Sequence, residues 1–237
     1  MRYLILVFFL TLTGMLGAQT HHETALRAYL SNDPAVWAEA VAATKTIADP
    51  AERMLTEADY QLAKAYAHMA TKDNDAIAAI VDRVDDLLDD YWDLNDKNAA
   101  AHGLYSALLG LKIAQAPMKG MLYGSRATKY AAKGVELDPN DPAALYNAAG
   151  NLFYTPEQWG GDPEKAVTYL KKAVQQYGGD AAQDWHYLST LALLGQAQTK
   201  VGKTDQARAT YQRALAAQPT FGYVKYMLLP ELDKKSN

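Results

Sequence analysis

The stretch LALLGQAQTKVGKTDQARATYQRALAAQP, residues 191–219, reads as two helices joined by a short turn. Apolar and alanine residues recur at spacings of three and four on both sides of a break at 201–205, which is the periodicity of α-helices. Each predicted helix carries a small residue, Gly195 on the first and Ala207 on the second. We expect the two antiparallel helices to cross at these residues, since larger side chains there would hold them apart. The stretch therefore predicts one closely packed helical hairpin.

The same stretch resembles the tetratricopeptide repeat (TPR) family. The positions that match the repeat consensus are Leu194-Gly195, Gly202, Ala207, Tyr211, Ala214-Leu215 and Pro219. Leu191 and Gln198 stand at two positions where the consensus has aromatic residues. The resemblance implies an all-α fold, a right-handed superhelical stack of about ten or eleven helices arranged as antiparallel pairs. Because this fold serves many partners, it implies binding without naming what is bound.

Two earlier stretches carry the same pattern with a longer loop. In residues 143–174, Gly150 and Ala166 take the places of the glycine and alanine above, but they are 16 positions apart instead of 12. A matching elongation occurs 39 residues earlier, within 106–141. Because the insertion occurs twice, we expect it to serve a shared geometric purpose.

Loop-forming clusters divide the chain into successive helical segments. The predicted divisions are 1–18, a signal peptide; 19–50, N-terminal capping helices; 51–99, a degenerate TPR-like hairpin; 100–141, a TPR-like repeat with an elongated loop; 142–180, a TPR repeat with an elongated WGGD loop; 181–219, a TPR repeat; and 220–237, a C-terminal capping helix and tail.

The first residues, MRYLILVFFLTLTGMLGAQT, have the pattern of a secretory signal peptide. One early cation precedes an apolar run that is too short for a membrane span, and small residues precede an expected cleavage after Ala18. The chain has no cysteine, so neither a disulfide nor a lipid-bearing cysteine is possible. We therefore expect an exported, soluble protein, periplasmic or extracellular, which is not a lipoprotein and has no membrane insertion after cleavage.

The charge balance implies no general attraction to nucleic acid or to an anionic membrane. The formal net charge is −4, whereas nucleic-acid-binding domains are basic. Residues 81–96 hold seven Asp against one Arg. This run is either a solvated helix face or a docking patch for a basic partner.

The elongated loop FYTPEQWGGDPEKA, residues 153–166, contains four residues more than a helical hairpin of this kind needs: Pro156, Trp159, Gly160 and Gly161. Asp162 can cap the following helix, Pro163 suits its first turn, and Gly160-Gly161 permits a chain reversal. Trp159 either fills a gap between helices or lines a recognition surface. In the second interpretation it joins the earlier loop in an apolar lip formed by Met118, Met121, Leu122, Tyr123 and Trp159.

The family resemblance also implies a binding groove. In TPR proteins the first helix of each pair lines the concave face, which here predicts a groove formed by Asn147, Asn151, Tyr154, Ser189, Gln196 and Lys200. Asparagine amides on successive turns can hydrogen-bond an extended peptide backbone. The family's version that clamps a peptide carboxyl terminus needs several basic residues, and only Lys200 matches it.

No catalytic or cofactor motif is present in the sequence. The five histidines form no zinc spacing, and no nucleophile elbow, P-loop or dinucleotide fingerprint occurs. We therefore predict no enzyme activity, no cofactor and no metal site. One further constellation is Gln19-Thr20-His21, since cleavage after Ala18 would leave a free amine two residues before an imidazole, a set that can bind Cu(II) or Ni(II).

These observations predict an exported, non-catalytic scaffold that binds a protein or peptide through its concave groove and inserted loops. The alternative is a periplasmic protein that binds a small molecule or lipid, working beside a transporter. The 16 tyrosines and the methionine-rich loop favour that alternative. The sequence leaves self-association open.

Overall fold

The computed structural model of the protein describes residues 21–179 and 181–236, and all regular secondary structure in them is helical. The α-helices in these residues are α1 (21–31), α2 (Pro34–Ala43), α3 (Pro50–Thr71), α4 (Asn74–Trp92), α5 (Ala99–Gln115), α6 (Gly120–Leu137), α7 (Pro142–Tyr154), α8 (Pro163–Gln176), α9 (Trp185–Lys200), α10 (Thr204–Ala217) and α11 (Leu229–Ser236). The predicted all-α class is confirmed. The predicted signal peptide lies outside the described residues.

Local sequence explains where most of these helices begin. At seven helix starts an Asp or Asn side chain accepts a hydrogen bond from a backbone N–H of the first turn, which would otherwise have no partner. These capping residues are Asp33, Asp49, Asp73, Asn98, Asp141, Asp162 and Asp184. Proline occupies the first turn of α2, α3, α7 and α8, where its missing N–H costs nothing.

The described residues divide after Asp96 into two compact units. In the first unit, α3 and α4 pack together as a hairpin, and α2 packs on α3. The apolar face of α4, including Ile77, Val84 and Leu88, is buried against α3. On its other face Asp82, Asp86, Asp89 and Asp90 are exposed, so these acidic residues lie on a solvated helix face.

The second unit, residues 97–236, is built from three hairpins, α5–α6, α7–α8 and α9–α10. Successive hairpins are in contact, since α5 packs on α7 and α8 packs on α9. Helix α9 is buried on nearly every side. A continuous helical run, residues 222–236, then packs on α10 and α9; it contains a π-helical segment, Val224–Leu228, followed by α11.

Glycines show how closely the paired helices approach. Gly195 on α9 lies against the ring of Tyr211 on α10, and Ala207 is fully buried, which confirms the crossing predicted there. The same role predicted for Gly150 is wrong, because a Cβ added at Gly150 would meet nothing within 4 Å. Ala166 of α8 corresponds to Ala207 of α10. Four residues later, α8 has a leucine, Leu170, whereas α10 has Tyr211.

No helix in the part of the chain that the structure describes is both long enough and apolar enough to cross a bilayer.

Candidate functional site

A pocket of about 270 Å³ opens in the second unit between the C-terminal ends of α7 and α9, helix α10 and the helical run at 222–236. Its lining combines aromatic rings and aliphatic side chains with polar groups, which six of the nine lining residues carry. The lining residues are Phe153, Gln196, Thr199, Lys200, Tyr211, Tyr223, Leu228, Glu231 and Leu232. Binding pockets usually combine an apolar lining with a small number of polar groups, and this lining is more polar than that.

Lys200 closes the side of the pocket formed by α7. Its Nζ donates a hydrogen bond to the backbone oxygen of Phe153 at 2.8 Å and lies 4.8 Å from the centre of the Phe153 ring. A cation over an aromatic face is attracted by the electron-rich ring. The two contacts hold the end of α7 to the end of α9, so the cation has a fixed position at the rim.

Two tyrosine hydroxyls and one carboxylate supply the polar character of the opposite wall. Burial raises the pKa of Tyr211 to about 12, and the nearby charges of Tyr223 and Glu231 act in the same direction against a hydrogen bond with Thr199. Burial, together with Glu231, also raises the pKa of Tyr223. Both hydroxyls therefore stay protonated at neutral pH and can donate or accept a hydrogen bond.

Four of the six predicted groove residues are accessible, two in the pocket and two on the surface of α7. Gln196 and Lys200 both line the pocket. Tyr154 is 71% exposed at the end of α7. One turn earlier, Asn151 lies partly exposed, and its Oδ1 accepts a hydrogen bond from Thr128 Oγ1 at 3.2 Å.

The other two predicted groove residues are engaged within the fold. Asn147 is half-buried, donates from Nδ2 to the backbone oxygen of Ala143 at 3.0 Å, and packs closely against Gly103 of α5. Ser189 is only 5% exposed and donates to the backbone oxygen of His186. Both hydrogen bonds lie within the residue's own helix, so these two side chains are occupied by the fold.

Sequence reasoning did not find Phe153, Tyr211, Tyr223 or Glu231 as pocket residues. In the sequence, Tyr211 matches a position of the repeat consensus, and residues 220–237 predict only a capping helix and tail. The one available signal was the aromatic and acidic content of FGYVKYMLLPEL, residues 221–232.

Each of the two inserted loops contains a single 3₁₀ turn. In the first loop this turn is Pro117–Lys119, and α6 begins directly after it. Met118 is 92% exposed, Met121 is 99% exposed and Leu122 is 64% exposed. Tyr123 is half-buried, with Lys112 Nζ 5.8 Å from the centre of its ring.

The second loop has the matching turn at Glu157–Trp159. Gly160 has a φ of +95°, which side chains disfavour, and a Cβ at Gly161 would lie 1.8 Å from the backbone oxygen of Thr155. Both glycines are therefore required by the turn. Trp159 is 75% exposed, so it does not fill a gap between helices.

The histidine of the Gln19-Thr20-His21 constellation is buried in the first unit, whereas Gln19 and Thr20 lie outside the described residues. His21 Nδ1 lies 3.0 Å from the Tyr60 hydroxyl, within hydrogen-bond distance. Burial, with a smaller contribution from His22, lowers the pKa of His21 to about 4. Within 21–179 and 181–236, no three His, Asp or Glu side chains are grouped to hold a metal ion.

Residues 188–221, from α9 to just beyond α10, match the family model of the tetratricopeptide repeat. Residues 188–221 therefore form a tetratricopeptide repeat, and the helix pairs stacked beside them have a TPR-like arrangement. None of the curated proteins matches it.

Solved structures similar to the chain have the same kind of fold. The HusA haemophore from Porphyromonas gingivalis aligns with a TM-score of 0.61 and 20% sequence identity, covering 77% of this chain and 93% of that one. A thermophilic TPR protein from Thermus thermophilus aligns with a TM-score of 0.56 and 16% identity, covering 91% of this chain and 94% of that one. At these identities the likeness concerns the fold alone.

Proposed function

We propose that this chain is an exported, non-catalytic binding protein that holds an extended segment of another protein. The segment lies along a recognition face of the second unit, which we define as Asn151, Tyr154, Gln196, Lys200 and the pocket beside them. The second inserted loop begins directly after Tyr154 of this face. Asn147 and Ser189 lie on the same two helices, α7 and α9, but are not part of the face.

The pocket is the observation that carries this proposal. Its aromatic and aliphatic floor suits one apolar side chain of a bound segment, while Gln196, Tyr223 and Glu231 at its edge suit polar backbone or side-chain groups. Interfaces owe most of their affinity to a few anchors buried in such pockets. Along α7, Asn151 and the exposed Tyr154 could contact the segment as it leaves the pocket.

Export rests on residues 1–18, whose composition is that of a secretory leader. The absence of catalysis rests on the chemical groups that the pocket brings together. They are two tyrosines of raised pKa, one carboxylate, and a lysine that is hydrogen-bonded to the backbone oxygen of Phe153. None of these groups is a nucleophile paired with a base.

A peptide selection tests the proposal directly. Peptides selected from a random library on the chain from Gln19 onward, which contains every described residue, would be measured by calorimetry against the parent and a Gln196→Ala variant. We expect the variant to weaken binding about tenfold, as loss of an interface contact of about 1.4 kcal/mol would.

Gln206→Ala is the matched control, because Gln206 is exposed on α10 and hydrogen-bonded to Lys171 away from the pocket. It should bind like the parent. If no peptide is selected, or if both variants bind equally well, the recognition face is not a peptide site.

The second candidate is a small-molecule carrier that uses the same pocket, working beside a transporter. Its volume of about 270 Å³ is near the lower end of ligand pockets. The similar structure named a haemophore makes haemin the first probe. A saturable change in haemin absorbance that is lost on Tyr223→Ala would support the carrier, whereas a linear response would count against it.

A further inference from the structure

Charge is strongly segregated in the second unit. From residue 97 to residue 135 the chain has no Asp or Glu, although its net charge as a whole is −4. The six cations in that interval are Lys97, Lys112, Lys119, Arg126, Lys129 and Lys133. The first carboxylate after Asp96 is Glu136, which pairs with Lys133 at 2.9 Å. The hairpin α5–α6 is therefore a basic part of an acidic protein.

The exposed apolar residues of the first inserted loop lie beside these cations. Met118, Met121 and Leu122 are at the beginning of α6, and Lys119, Arg126 and Lys129 are exposed around and just after them. On the opposite side of α6, Ala127 and Ala131 are buried. This end of α6 thus presents exposed apolar side chains with exposed cations beside and after them. We term this surface the basic tip: Met118, Lys119, Met121, Leu122, Arg126 and Lys129.

We propose that the basic tip docks on an anionic lipid surface. Lysine and arginine attract anionic headgroups, and apolar side chains at the same level enter the boundary between headgroups and acyl chains. This docking is peripheral and needs no spanning helix. It goes beyond the proposed recognition face and does not depend on it.

The shape of the tip favours lipid over a folded partner. Met118 and Met121 are 92% and 99% exposed, so their side chains project into solvent. A protein partner would need a matching cavity, whereas a fluid lipid layer accepts a protruding flexible side chain without one. Methionine side chains are flexible enough to adapt to such a layer.

The second inserted loop does not share this character. In the sequence Trp159 lies between Glu157 and Asp162, and Glu164 is in the first turn of α8. These carboxylates would be repelled by an anionic surface. The lip predicted from sequence therefore separates into a basic part, assigned here to lipid, and an acidic part around Trp159 that stays with the recognition face.

Vesicle sedimentation of the chain from Gln19 onward tests this proposal. The vesicles are phosphatidylcholine alone, or phosphatidylcholine and phosphatidylglycerol in equal parts. We expect binding to the mixed vesicles only, and less of it as salt is raised. Lys119→Gln with Lys129→Gln should weaken binding by about fivefold for each cation removed. Met121→Gln with Leu122→Gln should weaken it by about tenfold or more.

The controls change the same residue types elsewhere in the second unit. Met227→Gln alters an exposed methionine of the π-helical segment, and Lys171→Gln with Lys225→Gln removes two exposed cations from other helices. Both should bind like the parent. Circular dichroism melting should be unchanged in every variant, because the altered side chains are at the surface.

Three results would overturn the proposal: no binding to mixed vesicles, equal binding to both kinds of vesicle, or equal losses in the tip and control variants. A fourth result would give the tip another role. If the protein binds polyglutamate but not vesicles, and the tip variants no longer bind polyglutamate, the tip is a docking surface for acidic proteins instead.

Discussion

Gly195 on α9 lies directly beneath the ring of Tyr211 on α10, and a Cβ at Gly195 would lie 2.1 Å from Cε1 of that ring. Real Cβ atoms do not approach other carbons so closely. The tyrosine is itself 2% exposed, so its ring has little room to move away. This pair sets the distance between the two helices that form the floor and one wall of the pocket.

Gly195→Ala should therefore destabilise the protein by about 1–3 kcal/mol through overpacking. Gly150→Ala is the matched control, because the same change on α7 enters open space. There alanine should be neutral or stabilising by up to about 1 kcal/mol, since it favours the helix more than glycine does. Urea denaturation of the two variants measures both values, and equal effects would contradict the close approach of α9 and α10.

A buried polar pair stands where the repeat consensus has an aromatic residue. Thr210 Oγ1 donates to Gln198 Oε1 at 2.7 Å, and both side chains are buried. Thr210→Val should cost about 1–3 kcal/mol, because it leaves a buried acceptor without its donor. Adding Gln198→Leu should recover part of that loss. If the loss in the double variant equals the sum of the losses in Thr210→Val alone and Gln198→Leu alone, the hydrogen bond contributes nothing to stability.

Trp159 should be dispensable for folding. It is 75% exposed, whereas Trp37 and Trp185 are 1% and 7% exposed. Trp159→Phe should change the free energy of unfolding by less than about 0.5 kcal/mol, as is usual at the surface. It should also remove the part of the tryptophan fluorescence that acrylamide quenches most readily. A loss of more than about 2 kcal/mol would show that the side chain packs against the helices after all.

His21 should make the first unit less stable in mild acid. Its pKa is about 4 in the folded protein against 6.5 ordinarily, so the unfolded chain binds the extra proton between these values. Stability is then full above about pH 6.5 and falls toward pH 4, by at most about 3 kcal/mol.

Thermal melts at several pH values would measure this effect. His21→Gln should flatten the dependence between pH 6.5 and pH 4 relative to the parent, because an amide does not titrate. His22→Gln, which alters the exposed neighbouring ring, should retain most of it. Identical profiles for the parent and the His21 variant would show that His21 titrates alike in both states.

Much of the fold could be predicted because local chemistry determines it. Asp162 and Pro163 begin α8 as the sequence predicts, with Asp162 Oδ1 accepting from Lys165 N at 2.9 Å. The failure at Gly150 has a different origin. Whether a glycine is needed depends on the side chain that meets it from the partner helix, and α8 has Leu170 there instead of a tyrosine.

The candidate site was less predictable, because it depends on contacts between distant segments. Gln196 and Lys200 follow from the repeat pattern alone. Ser189 follows from the same pattern, yet the packing around α9 buries it. Tyr223 and Glu231 reach the pocket only because the helical run at 222–236 packs across α9 and α10, and no spacing in the repeats indicates where that run lies.

The π-helical segment Val224–Leu228 gives the terminal helix one residue more than a regular α-helix would use for the same turn. Every side chain after it is consequently rotated by about 100° from the direction that an uninterrupted helix would give it. Glu231 and Leu232 face the pocket with that rotation included. Deleting a single residue from the segment would leave a more regular helix. The Glu231 carboxylate would then point away from the pocket, and the site would lose one wall.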